Sequence, residues 1–296
     1  MKVLLLALAL LCGAGAARAQ GTAAAESDGE RLARILARVG ERAESYHEGL
    51  FSIAFTEVLR QEELREDMTA KKSKEFVFDT VVLREGLPGG DEDDYYPKSV
   101  RRLKAVNGKP PKKGEREASY FAVASLGFLL PKNRAPSDVF SLEGEETVGG
   151  RAALRLRMMR QGQGAPGVEW KRSWRGGRFV VHAPMLMLLW VDAETFDVLR
   201  VESHLAEPFE FKSPRAFGSF GPARRFRYAV QDYSVSFRRR QFDGQTLVVP
   251  ESAEILRVIE GASKPRLRST LRLSDYRRFR SDVKVVEEPD AQGSRQ

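Results

Sequence analysis

Three histidines, 41 acidic residues and one cysteine are the groups through which this chain could do chemistry. His47, His182 and His204 have no metal-binding spacing, and there is no H-E-x-x-H. His182 and His204 become cross-strand neighbours only if a hairpin turning about Ala193-Glu194 is in register. Two imidazoles still fall short of a zinc site, which needs a third protein ligand. Asp91-Glu92-Asp93-Asp94 puts four acids in a row. A calcium loop spaces its acids by two and has a glycine at the bend, so this run reads as a solvated loop. Gly218-Ser219-Phe220-Gly221 lacks the spacing of a nucleophile elbow. No phosphate-binding loop or dinucleotide fingerprint is present. A hydrolase built on two converging carboxylates stays open as an alternative, but no pair is marked. The expectation is a non-enzyme with no catalytic residue, cofactor or metal.

The one stretch that asks for a partner is apolar. In residues 185–191, Met185, Met187, Leu189 and Val191 share one face of a strand, and Leu186, Leu188 and Trp190 share the other. A strand with one wet face would alternate with polar residues, so both faces need a cover. One cover can be a helix. The other can be a guest, because flexible methionines tolerate varied apolar shapes. Leu186, Leu188, Trp190, Met185 and Met187 are therefore the candidate ligand-binding residues.

The elements that must position this strand follow from periodicity. Residues 30–45 repeat Leu32, Ile35, Leu36 and Val39 at helical spacing, with Asp28 as the expected N-cap. Residues 115–130 predict a second helix, closed by Pro131. The rest alternates with a period of two. Strands are expected over 51–65, 75–84, 100–106, 139–148, 151–160, 169–174, 179–191, 198–206, 225–242, 246–249, 253–260 and 267–279. Asn107-Gly108, Gly149-Gly150 and Asp243-Gly244 mark turns, and residues 207–222 read as the longest loop. Basic–aromatic runs such as Arg224-Arg225-Phe226-Arg227-Tyr228 can bind nucleic acid, but strand alternation puts rings and arginines on opposite faces. An anionic membrane surface suits such arginines better. The fold class expected is α+β and β-rich: a strongly curved antiparallel sheet, an unclosed β-barrel. An N-terminal helix and a second helix pack on its concave side.

The chain has 296 residues and a formal charge of +8. Lys2, an apolar run from Val3 to Leu11 and Ala17-Arg18-Ala19 read as a secretory signal over residues 1–19. Cleavage there leaves a charge of about +6. It also removes Cys12, so the exported chain has no thiol for a nucleophile or a metal. Leu11 stands where a lipidation signal wants a small residue, so anchoring at Cys12 is not expected. Residues 20–29 read as a flexible leader, 30–286 as one β-rich domain and 287–296 as a disordered tail. The expected location is periplasmic or extracellular.

Trp190-Val191-Asp192-x-x-Thr195-x-x-Val198-Leu199-Arg200 resembles the hairpin of the periplasmic lipoprotein-carrier superfamily, the LolA/LolB-like and RseB-like half-barrels. Phe196 stands where those turns usually have glycine. The resemblance implies an unclosed barrel, helices plugging its concave side and a hydrophobic cavity for acyl chains. It places lipid or lipoprotein among the expected partners. The function expected is binding of an apolar ligand in a concave cavity outside the cytoplasm. The alternative is an envelope interaction or sensor module without a small-molecule ligand.

Overall fold

The computed structural model describes residues 27–51, 53–86, 95–115, 126–134, 136–160, 167–171, 178–182, 185–212, 225–242 and 244–278. The segment expected to be a signal, most of the expected leader, Cys12, the acidic run 91–94, the Gly-rich loop 218–221 and the expected tail lie outside them.

Helix α1 runs Asp28–Leu50. It starts earlier than expected, and its N-cap is Ser27 rather than Asp28. The Ser27 hydroxyl accepts from the Glu30 amide, and the Glu30 carboxylate accepts from the Ser27 amide at 2.9 Å. That reciprocal pair satisfies two amide donors and fixes the helix start. Ile35, Val39, Ala43, Tyr46 and Leu50 then form the buried stripe.

The strands are β1 (Ile53–Leu64), β2 (Ala70–Gly86), β3 (Tyr95–Val106) and β4 (Asp138–Val148). Next come β5 (Arg151–Arg160), β6 (Gly167–Lys171), β7 (Arg178–His182), β8 (Met185–Asp192) and β9 (Val198–Leu205). The last are β10 (Phe209–Lys212), β11 (Arg225–Phe242), β12 (Gln245–Glu260) and β13 (Arg266–Arg278). One antiparallel sheet has the order β3-β2-β1-β13-β12-β11-β9-β8-β5-β4, with β10 added beside β11. It is not closed: β3 and β4 are its edges. Among the described residues β6 and β7 pair only with each other.

Some expectations need correction. Most of the second helix expected over 115–130 lies outside the described residues, and its described end, Gly127–Leu129, is a 3-10 turn rather than α-helix. The strand expected over 179–191 is two strands in two sheets, with Ala183-Pro184 between them. The loop expected over 207–222 contains β10. β12 runs unbroken through Pro250. A proline removes a ladder donor, and here it meets Phe237 where the register shifts after Ser236. A bulge is where a sheet tolerates proline.

The core is the face of the sheet that α1 covers. Ile53, Phe55 and Leu59 of β1, Phe76 and Phe78 of β2, and Leu154 and Leu156 of β5 join the helix stripe in one cluster. Arg31 near the helix start meets Glu145 of β4 at 3.0 Å, and Glu48 near its end meets Arg84 of β2 at 2.7 Å. Strands β2 and β4 are eight places apart in the order, about 38 Å on a flat sheet. The helix between Arg31 and Glu48 covers about 25 Å. Curl of the sheet and the long side chains make up the difference. Gly40 lets the helix approach the Pro131 turn: a Cβ there would sit 3.2 Å from the proline ring. Arg134 fastens the same place by donating to the carbonyl of Leu36 at 2.7 Å.

The sheet also joins distant parts of the chain. β1 pairs with β13, from Ile53 opposite Arg278 to Glu63 opposite Leu267. This seam links the unit β1–β3 to the unit β11–β13.

Candidate functional site

The residues named from sequence divide between two faces. Met187, Leu189 and Val191 face α1 and belong to the main core or pack on it. Met185 shares their parity on β8 and is buried. Leu188 and Trp190 face outward. They pack with Ala153, Leu199 and Val148 in a small separate cluster. Leu186 has the same parity and is half-buried. The Trp190 ring has its own partners: its Nε1–H donates to Glu146 at 2.8 Å, and the Arg200 guanidinium lies 5.2 Å from the ring centre. The five residues therefore do not gather in one pocket.

The turn after β8 is held by Asp192. Its Oδ1 accepts from the Thr195 amide and hydroxyl, both at 2.8 Å, and its Oδ2 meets Arg151 at 2.8 Å. Phe196 takes the left-handed φ of 62° where the resembling hairpins have glycine. It is kept there by packing against the core and under Arg38, 5.6 Å from the ring centre. Burial pushes the Asp192 carboxyl up, but the Thr195 hydrogen bonds and the Arg151 charge outweigh it and hold it below the usual range. Its contribution is therefore present above the unfolded value near 3.9 and fades as pH falls through the lower folded value. Asp192→Ala is expected to cost about 1.5–3 kcal/mol at pH 7 and clearly less near pH 2–3. Urea unfolding at both pH values measures this, and an equal loss at both would contradict the role.

The histidines do not meet. His182 stands opposite Gly167 in the β6–β7 pair, whereas His204 stands between Leu186 and Asp232 in the main sheet. His204 Nδ1 lies 2.9 Å from Asp232, and its Nε2 lies 3.4 Å from Glu202. Both ring nitrogens face carboxylates, so neither is free to activate Ser234, which lines the same hollow. No group of three metal-ligating side chains occurs among the described residues.

A different site emerges from the register of β2, β1 and β13. On the helix-covered face the strands form successive rows. The outermost is Lys72, Glu63 and Leu267. Then come Lys74, Gln61 and Ser269, and after them Phe76, Leu59 and Leu271. One face thus passes from charged to polar to apolar within about 14 Å along the strands. The outer rows surround a cavity of about 430 Å³ lined by Lys72, Lys74, Phe76, Lys264 and Leu267, among others. That volume lies within the range of about 300–1,000 Å³ common for small-molecule sites. Phe76 belongs to the main core, so the floor of this mouth is the edge of that core.

Three lysines and two glutamates line the mouth. Lys264 meets Glu63 at 2.5 Å, and Lys74 meets Glu115 at 2.6 Å while lying 5.3 Å from the Phe76 ring centre. The hydrogen bond from Lys264, with Lys72 and Lys71 nearby, holds the Glu63 carboxyl below its usual range. The bond from Lys74 does the same for Glu115.

The next row inward is Phe78, Glu57 and Leu273. Arg101 of β3 reaches Glu57 there, with Nε and Nη2 each 2.7 Å from one carboxylate oxygen. Its guanidinium lies 3.7 Å from the Phe78 ring centre. Glu57 is 1% exposed and the Arg101 side chain 7%. Sequence reasoning singled out neither this pair nor the mouth. The only local signal was the period of two that puts Lys72, Lys74 and Phe76 on one face.

Fold and site together define an open antiparallel half-barrel plugged by one helix, with an apolar-floored mouth at one end. Solved structures resemble it at low identity. A domain assigned to outer membrane lipoprotein sorting from Vibrio parahaemolyticus is 12% identical. It covers 83% of this chain and 93% of its own, with a TM-score of 0.41. A LolA superfamily protein from Nitrosomonas europaea is 11% identical over 86% and 95%, with a TM-score of 0.35. A DUF1329 family protein from Desulfovibrio piger is 14% identical over 84% and 94%, with a TM-score of 0.37. No family model matches the sequence, and no curated protein is significantly similar to it.

Proposed function

We propose that this chain is a non-enzymatic protein working outside the cytoplasm, which binds the acyl chain of a lipid or lipoprotein on its helix-covered face. The observation that supports this is the mouth between β2, β1 and β13, where a cavity of about 430 Å³ opens onto the apolar core at Phe76. Each methylene taken from water into such a site contributes about 0.8 kcal/mol. Met185 and Met187 share the face on which the chain would lie. Leu186, Leu188 and Trp190 point to the other face and are not part of this path. Docking to an anionic membrane is not part of the reading either. The outer-face arginines Arg60 and Arg268 are interleaved with Glu62 and Glu254, which they meet at 2.8 and 3.5 Å.

A second reading is a protein-interaction module whose helix is a permanent filling. It is favoured by the completeness of the α1 stripe, where Val39 and Ala43 are fully buried. Native mass spectrometry separates the two. The exported protein, purified from membranes without delipidation, is expected to carry lipid, or to take up added lipid or diacyl lipopeptide. A clean apo mass under all these conditions would discard the acyl-chain reading in favour of the second.

A further inference from the structure

We infer that the mouth selects an amphiphile with an anionic head, placing a carboxylate among Lys72, Lys74 and Lys264 while its alkyl chain leaves over Phe76 and Leu267. The inference rests on the acyl-chain reading and adds the chemistry of the head.

Three arguments carry it. The first is position. Glu63 is opposite both Lys72 and Leu267, so a charge and an apolar side chain flank it in the outermost row. A ligand entering there meets cation and hydrocarbon together. The second is charge. The lining holds Lys72, Lys74 and Lys264 against Glu62 and Glu63, and Lys71 adds to the field on Glu63. Two of these lysines already hold carboxylates. Lys264 keeps Glu63 at 2.5 Å and Lys74 keeps Glu115 at 2.6 Å, so the site's geometry suits that group. Lys72 makes no ion pair within 4 Å among the described residues, which leaves an ammonium for an incoming head. The third is the next row. The Gln61 side-chain amide donates to Ser269 at 3.5 Å, and Asn107 lines the same cavity. Neutral hydrogen-bonding groups thus stand beside Lys74, between the outermost row and the apolar floor, as an amphiphile's head-to-tail junction requires. A neutral head would cover Lys72 without giving its ammonium a partner.

The test compares oleate, oleyl alcohol and acetate on the full exported chain by titration calorimetry. Oleate is expected to bind at least about tenfold more tightly than oleyl alcohol, since the head gains charge-assisted hydrogen bonds. Acetate is expected to show no measurable binding, because the chain supplies most of the affinity. Lys72→Gln is expected to erase most of the oleate preference while leaving oleyl alcohol binding and the melting temperature unchanged. Lys212→Gln, at an exposed position of β10, is expected to keep the preference. Raising salt is expected to narrow the gap between the two long ligands. Equal binding of oleate and oleyl alcohol overturns the head-group inference and leaves the acyl-chain reading standing. So does a preference that survives both Lys72→Gln and the triple change of Lys72, Lys74 and Lys264 to glutamine. Failure of both long ligands to bind overturns the acyl-chain reading itself. Acetate binding as tight as oleate marks an anion site without a chain and overturns both.

Discussion

Replacing Arg101 with leucine is expected to destabilise the fold by about 3–5 kcal/mol, because it removes the ion-pair partner of a buried carboxylate. Glu57 is 1% exposed and sits in the row just inside the apolar floor of the mouth. Without Arg101 its charge loses the hydrogen bond from Nε at 2.7 Å and the ion-pair contact with Nη2, and stays out of reach of water. The variant also loses the guanidinium stacked on Phe78. Removing both charges is a different experiment. Glu57→Leu with Arg101→Leu is expected to recover most of the loss, since the cost of desolvating two ions disappears with them. Urea unfolding of the two single variants and the double measures the coupling. A loss below 1 kcal/mol for Arg101→Leu would falsify the buried-pair account. If the double variant is stable and still binds amphiphile, the pair serves stability rather than recognition.

Val39→Asp is expected to remove more than about 4 kcal/mol, enough to unfold most of the chain at neutral pH. Val39 is fully buried at the centre of the α1 stripe, between Ile35 and Ala43. A carboxylate there has neither water nor a partner, so its pKa should rise by several units. An acid whose folded value is raised weakens the fold most above that value and least below its unfolded value near 3.9. The variant should therefore lose less stability, relative to the parent, at pH 4 than at pH 7. Circular dichroism melts at the two pH values show this directly. A variant that melts like the parent at pH 7 would mean that α1 is not the cover of the sheet.

What the sequence disclosed was local. The turns at Asn107-Gly108 and Gly149-Gly150 adopt positive φ and stand where their residue types put them. The helix stripe was visible because each turn repeats within four residues. The antiparallel, β-rich and unclosed character was also readable from short strands with tight turns. The strand around Pro250 was not, because its continuity depends on a bulge opposite Phe237 in the neighbouring strand. The N-cap was misplaced by one residue: Ser27 and Asp28 are both capping types, and only the reciprocal bond with Glu30 decides between them.

The site was harder to read for a related reason. Residues 185–191 are apolar on both faces, which signals that two covers exist but not which face belongs to the core. The structure gives Leu189 and Val191 to the helix and leaves Leu188 and Trp190 to a small outer cluster. The mouth needs three strands in register. Two of them, β1 and β2, are neighbours in sequence. The third brings Leu267 beside Glu63 from about two hundred residues away, and no periodicity encodes that encounter.

The same seam governs how the molecule must come into being. The first strand of the sheet waits for the last, so β1 keeps one side unsatisfied until β13 has been synthesised. Pairings this distant in sequence close late, and sheets dominated by them fold slowly. During that interval the exposed strand is a hazard for wrong pairing with other chains. A chaperone that shields β1, or a delay that keeps the chain extended until β13 arrives, would raise the yield of folded protein more than any gain in the stability of the finished fold.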